Sequence, residues 1–387
     1  MDEKPIALIV LQHGLWGNKK HMKYMEDKLR EAYTDDSVDI VSSLHDWLLL
    51  VKLIRYFQLN VDVNESEYTY DGIDICGERL AVKVQEHVKK LKNSSKQVTK
   101  ISMVGYSLGG LIIRYALGVL GKAGFFETIE PILYVTFATP HMGVRRPSTS
   151  ISSKIFNFVC GRMVSRSGEQ LQLIDKYDNN QPLLSVLADP EREFYHYLSK
   201  FKVRRTYANV VNDRTVPYWT AALDTANYFD TPRELNISLD ELYPSLVTSF
   251  DLSKEPRSRR FPVALLLSSP ILIPLGIVAV PILAIIILLY IGYQGTRSRI
   301  RVSRLLRTQT KHPAAENAVL EAVESFHMPG KEDVATIKSS KTPSKDWQKV
   351  LVYIRCMNAH GSIVCREKRF ANDGGRAVIQ HFVDTVL

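Results

Sequence analysis

With 387 residues, 45% of them hydrophobic and 24% charged, the chain has room for one large α/β domain plus an appendage, and its composition excludes an intrinsically disordered protein. Its 50 Lys and Arg against 41 Asp and Glu give a net charge of +9, which favours an anionic partner, either nucleic acid or the acidic face of a membrane. The four cysteines (Cys76, Cys160, Cys356 and Cys365) fit no common zinc spacing and are expected to be reduced thiols, with no metal and no cofactor implied.

The opening Met1-Asp2-Glu3-Lys4-Pro5 lacks the basic n-region of a signal peptide, so the chain is expected to begin in the cytosol. Ile6 to Leu11 is a continuous apolar run, as in a strand buried on both faces of a parallel sheet. Val38 to Val41 is a second, shorter candidate. Ile73, Leu80, Val84, Val88 and Leu91 recur at helical spacing and predict a helix over Gly72 to Leu91. A strand at Ile101 to Val104 and an apolar helix at Leu111 to Leu120 follow. Further strands are predicted at Ile132 to Phe137, Val203 to Val211 and Val350 to Cys356, and a last helix from Gly375 to Val386. Strands alternating with helices imply a mostly parallel sheet flanked by helices. Residues 141–200 carry helical patterns without a strand and look like a lid-like insertion. Ile155, Phe156, Phe158 and Val159 would be its lipid-facing side, although ordinary packing accounts for them equally well.

Between strand and helix lies Gly105-Tyr106-Ser107-Leu108-Gly109, the G-x-S-x-G pattern of a nucleophile elbow. The turn is so sharp that side chains two residues either side would clash, and it presents the serine hydroxyl at the carboxyl end of the sheet. This context predicts the α/β-hydrolase fold with Ser107 as nucleophile. The oxyanion hole of that fold takes one N–H from the residue after the nucleophile, here Leu108, and one from the loop after an early strand, assigned to Leu15 in His13-Gly14-Leu15-Trp16-Gly17. Gly14 allows close backbone approach, and His13 is read as a scaffold residue.

Chain order then requires an acid and a histidine after the serine. Asp213 directly follows a strand and precedes a turn and Pro217. Asp189, Asp224 and Asp230 do not follow strands. His360 follows the strand ending at Cys356, whereas the rival His381 lies inside the last helix. His141, in Thr139-Pro140-His141-Met142-Gly143, comes too early for the base but could line the pocket.

Phe261 to Tyr293 holds 33 residues without a charge, more than one membrane crossing needs. Pro262, Pro270, Pro274 and Pro281 interrupt it, which predicts two arms joined by a kink near Pro270 to Gly276, a hairpin dipping into one leaflet. Lys254, Arg257, Arg259 and Arg260 stand before it, and Arg297, Arg299, Arg301, Arg304 and Arg307 after it, so both flanks carry the charge of a cytosolic side. A single crossing would separate His360 from Ser107. With the basic residues spent on a membrane surface, and no nucleic-acid motif present, the nucleic-acid reading of +9 falls away. The expected organisation is a hydrolase core over 1–230, a linker and monotopic hairpin over 231–312, and over 313–387 the rest of the core with its histidine.

His13-Gly14-Leu15-Trp16-Gly17-Asn18, Gly105-Tyr106-Ser107-Leu108-Gly109-Gly110, Thr139-Pro140-His141-Met142-Gly143 and Asn212-Asp213-Arg214-Thr215-Val216-Pro217, in this order, resemble a family of eukaryotic serine esterases. Its fungal members include lipid-droplet phospholipases and monoacylglycerol-lipase-like proteins. The resemblance covers roughly residues 5–225 and resumes near 347–366; Met142 stands where family members often carry a short aliphatic residue. It implies Ser107, Asp213 and His360 as the triad and an acyl-glycerol or phospholipid substrate, with a lipid droplet or the endoplasmic reticulum membrane, cytosol-facing, as the site of action. Two other readings use the same residues: a non-enzymatic membrane tether on a degenerate scaffold, and an acyltransferase.

Overall fold

The computed structural model describes residues 4–33, 55–147, 150–224, 229, 233–256, 272–309 and 347–385. The predicted strand at Val38 to Val41, and the first arm of the predicted hairpin up to residue 271, lie outside them.

Six parallel strands form one sheet: β1 (Lys4–Gln12), β2 (Arg55–Asn60), β3 (Lys96–Tyr106), β4 (Glu130–Phe137), β5 (Val203–Asn209) and β8 (Trp347–Val352), in the order β2-β1-β3-β4-β5-β8. The continuous apolar run of β1 has its cause here. Ile6, Leu8 and Val10 face one core layer, while Ile9 and Leu11 face the other. On the first face pack α2 (Ile73–Asn93) and α3 (Leu108–Lys122), through Leu80, Val84, Leu111 and Leu117 among others. On the second lie α1 (Lys23–Ala32) and the terminal α11 (Asp373–Asp384), through Met25, Leu29, Ile379 and Phe382. This is the helix-on-both-faces layering of an α/β-hydrolase.

Between β4 and β5 the described residues form four short α-helices, α4 (Ile151–Phe158), α5 (Ser165–Leu171), α6 (Leu183–Ala188) and α7 (Glu193–Ser199), with a π-helical turn (Val159–Met163) after α4. Ile151, Ile155 and Phe158 of α4 are exposed, whereas Phe156 and Val159 are half-buried. After β5 and the single-turn helix α8 (Tyr218–Ala221) comes an antiparallel hairpin, β6 (Arg233–Leu239) with β7 (Val247–Pro256), in a region expected to be linker. Its Ile237, Val247 and Phe250 pack on a small cluster that includes Val216 and Tyr218, so this is an outgrowth of the β8 edge of the sheet.

Helix α9 (Leu272–Gln309) is continuous for 38 residues, with Pro281 inside it. The basic run expected as a separate flank is therefore part of the same helix as the apolar residues. Its stretch Ala279–Arg307 is long and apolar enough to cross a membrane, and most of its apolar side chains are exposed, unlike those of a core helix in a soluble protein. The chain then returns, and β8 adds to the sheet beside β5.

The return is anchored by aromatic packing. Phe137 on β4 stacks on Tyr207 of β5 at 4.4 Å and 6°, and both rings meet Phe382 of α11 edge-on. All three side chains are fully buried. Truncating Phe137 to Ala is expected to cost about 3–5 kcal/mol, read as a lowered midpoint in urea at unchanged m-value; a cost under about 1 kcal/mol would show that the cluster does not join the terminal helix to the sheet.

Candidate active site

In a parallel sheet every strand delivers its following loop to the same edge, and the site is assembled there. Ser107 follows β3, Asp213 follows β5, and His360 follows β8 in the single-turn helix α10 (Ala359–Ser362). His13 and Gly14 follow β1, and His141 follows β4.

Ser107 is the N-cap of α3 with φ 54° and ψ −127°, a backbone conformation that L side chains rarely adopt. Three constraints keep it there. Its N–H donates to the Phe137 carbonyl at 2.8 Å, and its own carbonyl accepts from Thr139 Oγ1 at 2.8 Å. A Cβ on Gly105 would lie 2.4 Å from Gly110 Cα, so only glycine lets strand and helix meet at this angle.

Ser107 Oγ lies 3.0 Å from His360 Nε2, and His360 Nδ1 lies 2.9 Å from Asp213 Oδ2. The far end of this chain is well tied. Asp213 Oδ1 accepts from the N–H groups of Thr215 (3.0 Å) and Val216 (2.8 Å), and Oδ2 accepts from Asn209 Nδ2 at 3.0 Å. Burial pushes the Asp213 carboxyl up. The charge and hydrogen bond of His360, with the donors from Val216 and Asn209, outweigh it and hold the group below the usual aspartate range. His360 is held from behind. Asn358 Oδ1 caps its helix by accepting from Gly361 N at 3.0 Å, and Tyr106 Oη donates to the His360 carbonyl at 2.9 Å. Tyr106 is the variable residue of the G-x-S-x-G pattern and Asn209 the last residue of β5; nothing in their local sequence marks either as part of the site.

Gly14 brings the β1 loop against the nucleophile, because a Cβ there would stand 2.6 Å from Ser107 Cβ. Among the described residues neither the Leu15 nor the Leu108 N–H has a hydrogen-bonding partner. Leu108 directly follows the buried Ser107, and Leu15 follows the Gly14 that packs against it. His13 is buried beneath this loop with Nδ1 3.1 Å from the Gly14 carbonyl, and burial keeps its pKa below the usual histidine value. His141 does not join the Ser107 chain. It is buried with Nε2 3.0 Å from Thr136 Oγ1 and its ring edge-on to Trp347.

The rivals are placed elsewhere. His381 Nδ1 pairs with Tyr207 Oη at 2.8 Å on α11, Asp224 accepts from Tyr218 Oη and Lys349 Nζ, and Asp189 caps a turn at Glu191. Asp230 lies outside the described residues.

The sheet, the helical layers and the serine elbow define an α/β-hydrolase. Residues 2–226 match the family described as "Putative serine esterase (DUF676)", and the chain belongs to it. Over 226 residues it is 28% identical to "Putative lipase C4A8.10" of Schizosaccharomyces pombe, covering 57% of this chain and 26% of that protein. It is also 28% identical over 236 residues to "Putative lipase ROG1" of Saccharomyces cerevisiae, covering 60% and 31%. The chain thus matches about a quarter to a third of the length of these relatives. Among solved structures, Est1E from Butyrivibrio proteoclasticus is similar at 16% identity over 59% of this chain and 76% of that one, with a TM-score of 0.31.

Burial first, and then the nearby Arg114 charge, hold the His141 imidazole well below the usual histidine range. It therefore stays neutral in the folded chain while the unfolded chain protonates below about pH 6.5. The unfolded state then binds the extra proton, so this residue removes stability as pH falls, by about 1.4 kcal/mol per pH unit once below that value. Replacing His141 by Asn should flatten the fall of denaturation midpoint between pH 6.5 and 5; an unchanged slope would show that His141 does not resist protonation.

Proposed function

We propose that this chain is a serine esterase that hydrolyses acyl esters of glycerophospholipids or glycerides at a cytosol-facing membrane or lipid-droplet surface. The observation that carries the reading is the continuous hydrogen-bonded chain Ser107–His360–Asp213 at the carboxyl edge of the sheet. Ser107 Oγ attacks the acyl carbonyl carbon as His360 Nε2 takes the hydroxyl proton, and Asp213 holds the ring and stabilises the imidazolium. The carbonyl oxygen becomes an oxyanion facing the Leu15 and Leu108 N–H groups. Collapse expels the glycerol or lysolipid alkoxide, which takes the proton from His360. Water then attacks the acyl-enzyme, gives its proton to His360 and releases the fatty acid as Ser107 recovers its own.

A lipid substrate is supported by two apolar surfaces of the same chain. Along α9, Val280, Ile282, Leu283, Ile285, Ile286, Ile287, Leu289, Tyr290 and Tyr293 are exposed, and on α4 so are Ile151, Ile155 and Phe158. Ser107 precedes α9 in the chain and His360 follows it, yet the two side chains touch. This supports a segment that enters and leaves lipid by one face, as a monotopic hairpin does. A droplet monolayer, which has no far aqueous side, accommodates the same geometry.

The test is fatty-acid release from mixed phospholipid and glyceride emulsions by the purified chain. Ser107→Ala should abolish release and labelling by a fluorophosphonate, and Asp213→Asn should lower kcat by about 10⁴ with little change in substrate binding. Full activity in Ser107→Ala would refute the assignment. Transfer to added alcohol in place of release to water would identify an acyltransferase.

A further inference from the structure

The basic end of α9 does not stand free of the hydrolase body. Gln294, Gly295, Ser298 and Val302 recur at helical spacing and are buried. At Gly295 the helix passes the insertion so closely that a Cβ would come 2.2 Å from the Met163 carbonyl oxygen. One turn on, Ser298 Oγ donates to Asp71 Oδ1 at 2.7 Å. Arg301 grips both oxygens of that carboxylate, Nε to Oδ2 at 2.9 Å and Nη2 to Oδ1 at 2.6 Å. Arg79 adds a further contact at 2.7 Å, and Asp71 has no exposure to solvent. Arg301 also donates to the Glu67 carbonyl at 3.0 Å and lies over the Tyr68 ring at 4.5 Å. Gly295 and Arg299 meet the insertion, Arg299 donating to the Arg162 carbonyl at 2.8 Å, whereas the Arg301 contacts fall on one short segment, the 3₁₀ turn Ser66–Tyr70 with Glu67 and Tyr68 in it and Asp71 after it.

The other side of that turn holds the loop that carries Leu15. Thr69 Oγ1 accepts from Trp16 N at 3.0 Å, the Ser66 N–H donates to the Gly17 carbonyl at 2.7 Å, and the Tyr70 ring lies 6.3 Å from that of Trp16. These bonds fix the two residues after Leu15. With Gly14 pressed against Ser107 on the other side, they leave the Leu15 N–H little freedom. A helix is a stiff rod, so the depth at which lipid holds the apolar stretch up to Tyr293 also sets where Arg301 sits.

We propose that Arg301, acting through Asp71 and Thr69, is a positioning residue for the Leu15 oxyanion donor. Helix α9 is then part of the scaffold that stabilises the transition state as well as a lipid anchor. This rests on the esterase reading above. Oxyanion donors act only when aimed at the developing charge, so a shift of the loop lowers the rate of acylation with little effect on ground-state binding.

The test is a double-mutant cycle on the full chain bound to phosphatidylcholine vesicles, with a soluble short-chain p-nitrophenyl ester as substrate. Arg301→Ala and Thr69→Val should each lower kcat by roughly tenfold to a hundredfold with KM within about twofold of wild type. The double variant should fall no further than the weaker single, because both cut one connection. Arg301→Lys should recover part of the loss, and every variant should still float with the vesicles. If Arg301→Ala fails to fold, Arg301→Lys paired with Thr69→Val gives the same comparison. A kcat in Arg301→Ala within twofold of wild type, or losses that simply multiply, would overturn this link alone. A wild-type chain that neither turns over the ester nor reacts with a fluorophosphonate would overturn the esterase reading and the link with it.

Discussion

The hydrogen bond between Ser107 Oγ and His360 Nε2 joins residues 253 positions apart, and most of the architecture serves to make it. A serine hydroxyl is a weak nucleophile unless a base stands within reach of its proton. Meeting that need takes a strained elbow after β3, a capped turn of helix after β8, and two strands, β4 and β5, in register between them. The parallel sheet supplies the common edge, and the aromatic stack of Phe137, Tyr207 and Phe382 locks the C-terminal elements onto it.

The same bond constrains the path of the chain between Asp213 and His360. Between Asp213 and His360 lies a helix whose apolar half faces outward and whose basic half is bound to the catalytic body. A helix with this division of labour is an unusual place for a buried carboxylate to find its cations. Asp71 sits in a site with no solvent, where an unpaired charge is costly, and two guanidinium groups and a hydroxyl compensate it. The long apolar helix is thereby joined to the hydrolase body.

Much of this was legible in the sequence, for reasons that differ by residue. The elbow announces itself because its glycines, its serine and the flanking strand and helix are all local. Asp213 and His360 stand out because each comes directly after an apolar strand, and the structure draws both to Ser107. Apolar runs mark strand ends only to within a few residues, as at Val350 to Cys356, where the ladder stops at Val352 and the chain turns towards α10. The β6–β7 hairpin carries no clear strand signal, because a two-stranded ribbon with one outward face has too weak a periodicity to register. Tyr106, Asn209, Asp71 and Arg301 were invisible as site residues. Their roles come from contacts such as that between Arg301 and Asp71, 230 positions apart, and a basic run beside an apolar segment reads first as head-group charge.

The dependence of Ser107 reactivity on His360 can be measured directly as the rate of covalent modification by a fluorophosphonate against pH, with the labelled peptide identified by mass spectrometry. In the native chain the rate should depend on pH, as general-base activation requires, and the label should sit on Ser107 alone. In His360→Ala the rate should fall by roughly 10³ or more and lose its pH dependence below the range of serine ionisation. Undiminished labelling of Ser107 in that variant, or modification of another serine in the native chain, would contradict the assignment of the base.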